Sequence, residues 1–135
     1  MTTACRTVLI VEDTRLCATT LEIALARIIG IGVRVAASAE EARTLLDAQL
    51  DVCAVVTDVH LPDASGLDLI RWMRSRASLA RLPIVVISGD SDPETNTAVL
   101  RLGADAYFAK PFSPSVVRNK LEDLINAATD AAPLQ

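Results

Sequence analysis

The stretch that decides the fold runs from Cys53 to Gly66 and reads CAVVTDVHLPDASG. Its first half is an apolar, β-branched run that ends at Asp58, which predicts a buried strand with a carboxylate at its carboxyl end. In an open parallel sheet, ligands bind in the crevice beyond the carboxyl ends of the strands. The second half contains Pro62 and Gly66, which predict a turn that leads into a helix. We therefore expect Asp58 to lie at a functional crevice.

Length and composition indicate one domain with a single buried core. The chain has 135 residues and a mass of 14.4 kDa. Hydrophobic residues make up 51% of it and the mean hydropathy is +0.36, yet no apolar run approaches the roughly 20 residues of a membrane span. A net charge of −4 and a pI near 4.9 argue against direct binding to nucleic acid. We therefore predict a folded domain that neither inserts into membranes nor binds nucleic acid directly.

The start of the chain and its cysteines indicate the compartment. Residues 1–6 lack the basic start, apolar stretch and cleavage site of a signal peptide, so we expect a cytoplasmic protein. Cys5, Cys17 and Cys53 are odd in number and far apart, without a C-x-x-C pair. This spacing favours neither a disulfide framework nor a zinc site. We interpret the cysteines as small buried hydrophobic residues.

Five short apolar runs alternate with helical patterns, which predicts a doubly wound α/β fold with a parallel sheet. The first, third and fourth runs are apolar throughout, as expected for central strands covered on both faces. The second and fifth runs are weaker and amphipathic, as expected for edge strands. This places five strands and five helices in a flavodoxin-like fold with strand order 2-1-3-4-5. The predicted strands cover residues 7–11, 33–36, 53–58, 83–88 and 106–109, and the helices cover 14–29, from 38, 65–76, 91–102 and from 113.

The helical patterns also predict which side chains face the core. Ser38, followed three residues later by Glu41, is a capping box that starts the second helix. The arginines of the third helix, Arg71, Arg74 and Arg76, are expected to point mostly outward. The residues expected to face inward recur at helical spacing as Leu16, Thr20, Ile23, Ala24 and Ile28 on the first helix, Leu67, Ile70 and Met73 on the third, and Val117, Leu121, Leu124 and Ile125 on the fifth.

The predicted strand order brings acidic side chains to one edge of the sheet. Glu12 and Asp13 follow the first strand, and Asp58 ends the neighbouring third strand. Because like charges this close disfavour joint ionisation, the crevice either holds a proton or recruits a hard cation with oxygen ligands. Magnesium, or manganese in its place, is the natural candidate, since it takes one or two carboxylates together with phosphate oxygens.

Two more polar residues reach the same edge. Lys110 follows the fifth strand and Ser88 ends the fourth. A carboxylate, a metal, a lysine and a hydroxyl around one point form an arrangement for phosphoryl transfer. In it, Asp58 is the nucleophile, the metal and Lys110 neutralise the transferring oxygens, and Ser88 hydrogen-bonds the attached phosphoryl group.

Four motifs stand in order along the chain. They are VLIVED at 8–13, VVTDVHLPDASG at 55–66, PIVVISG at 83–89 and GADAYFAKPF at 103–112. Together they resemble the receiver domain of two-component response regulators, and the resemblance covers residues 7–127. It implies a receiver domain over residues 1–127, followed by a flexible tail or the start of a linker over 128–135.

The resemblance implies a role for each residue that matches the family's motifs. Asp58 matches the phospho-accepting aspartate, and Glu12 and Asp13 match the acidic pair that holds magnesium. The backbone carbonyl of His60 matches the third protein ligand of the metal. Lys110 matches the active-site lysine, and its bond to the following proline is expected to be cis.

The same resemblance implies a switch and a means of tuning it. Ser88 matches the switch hydroxyl and Tyr107 the switch aromatic, which together remodel the surface of helix 4, strand 5 and helix 5. The side chains of His60 and Asp90 lie at positions that tune how long the phosphoryl group lasts. Ala106 replaces the second aspartate of the GADDY pattern, which argues against dimers of the kind formed by winged-helix regulators.

We therefore interpret the chain as a signalling switch that catalyses its own phosphorylation and dephosphorylation and is not a turnover enzyme. The resemblance implies a histidine kinase or phosphotransfer protein as one partner, docked on the first helix around Leu16, Cys17 and Thr20. The other partner is a downstream protein target or an effector domain. Whether the receiver stands alone or belongs to a longer regulator or hybrid kinase stays open at this point.

Two other classes of protein fit the residues less well. A flavin-binding flavodoxin needs a phosphate loop after the first strand, where Glu12 and Asp13 would repel the phosphate. A metal-dependent phosphatase that forms an aspartyl phosphate is expected to carry a second acid two residues after its nucleophile. This chain has His60 at that position.

Overall fold

Five parallel strands form one sheet in the order β2-β1-β3-β4-β5 in the computed structural model, which describes residues 6–48, 51–89 and 92–130. The predicted fold class and strand order are thereby confirmed. The strands are β1 (Arg6–Val11), β2 (Ile31–Ala36), β3 (Val52–Asp58), β4 (Ile84–Ser88) and β5 (Ala106–Ala109). The helices are α1 (Arg15–Leu25), α2 (Ala39–Asp47), α3 (Gly66–Ser75), α4 (Pro93–Arg101) and α5 (Pro114–Asp130), with a short 3₁₀ helix at Ala77–Leu79.

Each face of the sheet carries its own apolar core. Successive residues of β1 point to opposite faces, so that Val8 and Ile10 lie on one face while Leu9 and Val11 lie on the other, all of them buried. The first face packs against α1 and α5, and the second against α2, α3 and α4. Because both faces are covered, the central strands are apolar throughout rather than alternating.

The edge strands differ from the central ones as predicted. Every residue of β4 is buried, whereas most residues of β2 and β5 are only half-buried. All the strands run in the same direction, so their carboxyl ends meet at one edge of the sheet. Glu12, Asp58, Ser88 and Lys110 end or follow strands at that edge.

Side-chain caps start α2, as the sequence predicts, and also α3. Before α2, Glu41 N donates to Ser38 Oγ at 3.1 Å, and the Glu41 carboxylate accepts from Ala37 N at 2.9 Å. Before α3, Leu67 N donates to Ser65 Oγ at 3.0 Å. These bonds satisfy amides that have no partner inside the helices.

The buried face of α1 differs from the predicted stripe. Leu16 and Ile23 of that stripe are 77% and 64% exposed, and the helix ends at Leu25 rather than at residue 29. Apolar residues occur all round this helix, so helical spacing alone admits more than one stripe. The residues that are buried are Ala18, Leu21, Ala24 and Leu25, followed by Ile28 beyond the helix.

Arg74 is an exception among the arginines of α3, which were predicted to point outward. Its guanidinium donates to the Gly103 carbonyl at 2.7 and 3.1 Å and to the carbonyls of Leu79 and Ala80 at 3.1 Å. Arg74 therefore ties the end of α3 to the loop before β5. The helical pattern could not predict this position, because the partners are backbone carbonyls outside the helix, and Gly103 is 29 residues away.

The inward face of α5 is confirmed. Val117, Leu121 and Ile125 are buried, and Leu124 packs against them. The helix continues to Asp130, so residues 128–130 of the predicted tail are helical, while 131–135 lie outside the described residues. None of the helices described by the structure is long and apolar enough to cross a membrane.

Candidate functional site

The parallel register aligns the ends of the strands at one edge. Val11, the last residue of β1, lies opposite Thr57 of β3, and Ser88, the last residue of β4, lies opposite Ala109 of β5. The residues that end or follow these strands therefore converge on one crevice. They are Glu12, Asp13, Asp58, Ser88 and Lys110, as the sequence predicted.

Lys110 lies between two buried carboxylates. Its Nζ donates to Asp58 Oδ2 at 2.7 Å and to Glu12 Oε1 at 3.0 Å. Glu12 is 2% exposed and Asp58 is 5% exposed, whereas the Lys110 side chain remains 26% exposed. Burial lowers the pKa of Lys110, but the hydrogen bonds and charges of Asp58 and Glu12 outweigh burial and hold the pKa above its usual value. Lys110 is therefore a fixed cation at neutral pH.

Backbone amides hold the other oxygen of each carboxylate. His60 N donates to Asp58 Oδ1 at 3.1 Å, and Thr14 N donates to Glu12 Oε2 at 2.9 Å. Both bonds are charge-assisted and so are stronger than bonds between neutral groups. Each carboxylate is thereby oriented from two sides, by the lysine and by the loop that follows its own strand.

The edge carries more negative charge than Lys110 neutralises. Asp13 is exposed beside Glu12, and both line an open cavity of about 470 Å³. Carboxylate oxygens are the hard donors that magnesium prefers. The described residues contain no cluster of three or more His, Cys, Asp or Glu side chains placed to hold a metal ion. A fit to magnesium therefore needs a backbone donor beside the carboxylates, and the resemblance assigns that role to the carbonyl of His60.

Cys17 borders the same charges, although its position in the sequence does not reveal this. Burial, followed by a hydrogen bond with Glu12, raises the pKa of the Cys17 thiol to about 12. The thiol therefore stays protonated and is a poor nucleophile at neutral pH. Cys17 and Cys53 are both free and half-buried, and Cys5 lies outside the described residues.

Ser88 and Tyr107 share one face of the sheet. Tyr107 lies opposite Val86, two residues before Ser88, and packs against the core under α2, α3 and α4. Ser88 is completely buried, and its carbonyl accepts from Lys110 N at 2.7 Å. The hydroxyl and the aromatic ring are thus placed on the same side of the site, while their movement as a switch stays a prediction.

The loop after β3 carries His60. Its side chain is exposed, and the residue pairs with Ser65 across the loop. Asp90, the second residue predicted to tune the phosphoryl lifetime, lies outside the described residues. The tuning roles of His60 and Asp90 therefore stay predictions.

The peptide bond between Lys110 and Pro111 is cis, as the resemblance implies.

Asp63 of this loop and Gly66, the first residue of α3, support the site in ways that the sequence did not reveal. Gly66 lies so close to Asp58 that a Cβ at this position would collide with the Asp58 carbonyl oxygen. Asp63 accepts from Ala39 N and Glu40 N of α2, both at 2.9 Å. The proline and aspartate before Gly66 predict a turn, but nothing in the local sequence points to a helix start more than twenty positions away.

Comparison with known proteins identifies the family. The protein-family model for the response regulator receiver domain matches residues 8–122 of this chain. The transcriptional regulatory protein GltR of Pseudomonas aeruginosa is 35% identical over 123 residues, which are 91% of this chain but only 50% of GltR. The two-component response regulator ORR12 of Oryza sativa subsp. japonica is 38% identical over 106 residues, which are 77% of this chain and 85% of ORR12. The crystal structure of a response regulator from Chloroflexus aurantiacus J-10-fl is 33% identical with a TM-score of 0.81, covering 89% of this chain and 97% of that one. The chain belongs to the receiver domains of two-component response regulators.

Proposed function

We propose that the chain is a phospho-accepting receiver in which Asp58 takes a phosphoryl group from a phosphohistidine. The observation that carries the proposal is the position of Lys110, which bridges Asp58 and Glu12 at the ends of parallel strands. A carboxylate held beside a fixed cation at an open edge is suited to attack phosphorus, because the cation offsets the charge of the phosphoryl oxygens.

The transfer exchanges one bond to phosphorus for another. A carboxylate oxygen of Asp58 bonds to phosphorus while the bond from phosphorus to the donor ring nitrogen breaks. The electron pair of the broken bond stays on that nitrogen, and the other ring nitrogen carries the proton, so the donor leaves as neutral imidazole. Lys110 keeps its proton throughout because its pKa is raised. Bound magnesium, or manganese, would neutralise further phosphoryl charge, and its proposed ligands are Glu12, Asp13, Asp58 and the backbone carbonyl of His60.

Loss of the phosphoryl group resets the switch. Water attacks phosphorus, the bond to Asp58 breaks, and the carboxylate is regenerated together with inorganic phosphate. The exposed side chain of His60 lies in the loop beside the acceptor and, with Asp90, is proposed to set the rate of this step. The protein therefore catalyses its own phosphorylation and dephosphorylation and is a signalling switch rather than a turnover enzyme.

The exposed face of α1 is the proposed contact for the phosphodonor. Leu16 and Ile23 expose apolar side chains there, and Thr20 and Ile23 line a cavity of about 430 Å³ between α1 and α5. An exposed apolar face beside the acidic edge suits a helical partner that carries a phosphohistidine. We assign this face, together with the neighbouring Cys17, to a histidine kinase or phosphotransfer protein.

The output is proposed to pass through the opposite side of the site. A phosphoryl group on Asp58 attracts the Ser88 hydroxyl, and Tyr107 follows to change the surface formed by α4, β5 and α5. A downstream protein target or an effector domain would read that surface. We propose a cytoplasmic receiver domain over residues 1–127, with 128–135 as a tail or the start of a linker.

Intact mass after incubation with acetyl phosphate tests the proposed function. We expect a magnesium-dependent phosphoryl adduct on the wild type and none on Asp58→Asn. The matched control is Asp68→Asn, which changes an exposed aspartate on α3 that pairs with Arg71, and which should be phosphorylated like the wild type. An adduct of equal yield on Asp58→Asn would show that Asp58 is not the acceptor.

A further inference from the structure

One carboxylate connects the loop after β3 to α2. Asp63 Oδ1 accepts from Ala39 N and Asp63 Oδ2 accepts from Glu40 N, each at 2.9 Å. These two amides belong to the first turn of α2, where the helix itself offers no acceptor. The hydrogen bonds join positions 24 and 23 residues apart in the chain. Asp63 is therefore a cross-link between two separate elements.

Two backbone contacts of this loop close it on itself. His60 pairs with Ser65, and Leu61 N donates to the Ala64 carbonyl at 3.3 Å. These contacts give the loop a shape, and Val59 and Leu61 anchor its start against the core. The bonds of Asp63 add a tether from the loop to the first turn of α2, a separate element.

Both ends of the cross-link lie next to the acceptor site. On the loop side, His60 N donates to Asp58 Oδ1 at 3.1 Å, so a shift of the loop turns the acceptor carboxylate. On the α2 side, Glu12 N donates to the carbonyl of Ala36, the residue that ends β2 shortly before α2 begins. Asp63 thus holds the backbone around Asp58 against the backbone around Glu12.

We propose that Asp63 is a positioning residue for phosphoryl transfer, which keeps the His60 amide on Asp58 and so orients the acceptor carboxylate. This inference rests on the proposed function of Asp58 and deepens it. Misplacing a reacting group by about 1 Å slows a reaction up to about a hundredfold. The bonds from Ala39 N and Glu40 N also hold the pKa of Asp63 below its usual value, so the carboxylate stays ionised at neutral pH.

Ser38 provides a matched control on the same helix. Its Oγ accepts from Glu41 N at 3.1 Å, so Ser38→Ala removes a cap from the first turn of α2 without touching the loop after β3. Asp63→Ala removes caps from the same turn and also releases the loop. Asp63→Asn keeps one oxygen acceptor and loses the other, so it should give an intermediate result.

The test combines a rate with a structural readout. With acetyl phosphate and magnesium, we expect phosphorylation to slow about tenfold in Asp63→Ala and less in Asp63→Asn, while Ser38→Ala stays within about twofold of the wild type. In nitrogen-15 NMR spectra without a phosphodonor, the His60 amide signal should move in Asp63→Ala but not in Ser38→Ala.

The two readouts separate the failure of this inference from the failure of the proposed function. Equal phosphorylation rates in Asp63→Ala and Ser38→Ala, or an unmoved His60 amide in Asp63→Ala, would overturn the positioning role. If the wild type itself takes no phosphoryl group, the proposed function fails and the positioning role in transfer falls with it. The His60 signal would then still report whether Asp63 positions the loop.

Discussion

Removing the ammonium group of Lys110 should destabilise the protein, because it leaves two buried carboxylates side by side. Lys110→Met is the suitable change, since methionine keeps an unbranched side chain of similar length. In the wild type, Nζ lies 2.7 Å from Asp58 Oδ2 and 3.0 Å from Glu12 Oε1. Both ion pairs are lost in the variant while both acids stay in place.

The size of the effect follows from the burial of the three groups. Removing one partner of a buried ion pair costs about 3–5 kcal/mol, whereas an exposed pair contributes about 0–1 kcal/mol. The Lys110 side chain remains 26% exposed, so water already screens part of the attraction. We therefore expect the free energy of unfolding to fall by about 2–3 kcal/mol, which lowers the folding equilibrium constant roughly 30- to 150-fold.

The pH dependence of this loss has a definite sign. The pKa of Lys110 is higher in the folded protein than in the unfolded chain, where it is about 10.4. The ion pairs therefore stabilise the fold fully below that unfolded value, and their contribution disappears as the pH rises through the folded value. The difference in stability between wild type and Lys110→Met should be constant from about pH 7 to 9 and should narrow above about pH 10.5.

Urea unfolding followed by tryptophan fluorescence measures the difference in the free energy of unfolding between the wild type and Lys110→Met. Trp72, the single tryptophan, is half-buried on α3 and lies 4.7 Å below the Arg76 guanidinium, so its emission should change on unfolding. The control is Lys120→Met, which removes the same charge from the exposed side of α5 and should leave stability nearly unchanged. A Lys110→Met protein as stable as Lys120→Met near neutral pH would refute the reasoning.

Two further substitutions and one thiol modification test other contacts of the fold. Gly66→Ala should destabilise the protein by at least about 2 kcal/mol in urea unfolding, because the new Cβ collides with the Asp58 carbonyl; unchanged stability would show that the loop can shift freely. In the same assay, Arg74→Met should lower the free energy of unfolding by about 1–3 kcal/mol, because the Gly103 carbonyl loses its charged donor. An Arg74→Met protein as stable as the wild type would contradict this contribution. At about pH 8.5, Cys17 should react with iodoacetamide more than a hundredfold more slowly than a model peptide thiol does, because burial raises the pKa of Cys17 to about 12. Peptide mass spectrometry measures both rates, and equal rates would contradict that pKa.

The sheet and the residues at its edge could be predicted from the sequence because one physical rule links them. A strand that is buried on both faces must be apolar throughout, so the continuous runs of β1, β3 and β4 identify the centre of the sheet. Parallel strands end at the same edge, so the strand order predicts that Glu12, Asp58 and Lys110 border one crevice. The structure adds the hydrogen-bond distances and shows that Lys110 bridges Glu12 and Asp58.

Contacts with a distant backbone could not be predicted in this way. Arg74 was expected to face solvent, yet its guanidinium donates to the Gly103 carbonyl, which helical periodicity does not place beside α3. Asp63 likewise reads as a turn residue, although its acceptor oxygens serve the first amides of α2. The prediction of the buried face of α1 was wrong for a related reason. Apolar residues occur all round this helix, so packing against the sheet decides which of them are buried.

Reduction with sodium borohydride tests most directly whether Asp58 forms an acyl phosphate. The reagent converts an aspartyl phosphate to homoserine and leaves a free carboxylate unchanged, so peptide mass mapping locates the phosphorylated residue. After incubation with a phosphodonor and magnesium, we predict homoserine at position 58, and none when the donor is omitted. Homoserine at Asp13 instead, or a phosphoryl adduct that borohydride leaves intact, would contradict the assignment of Asp58 as the acceptor.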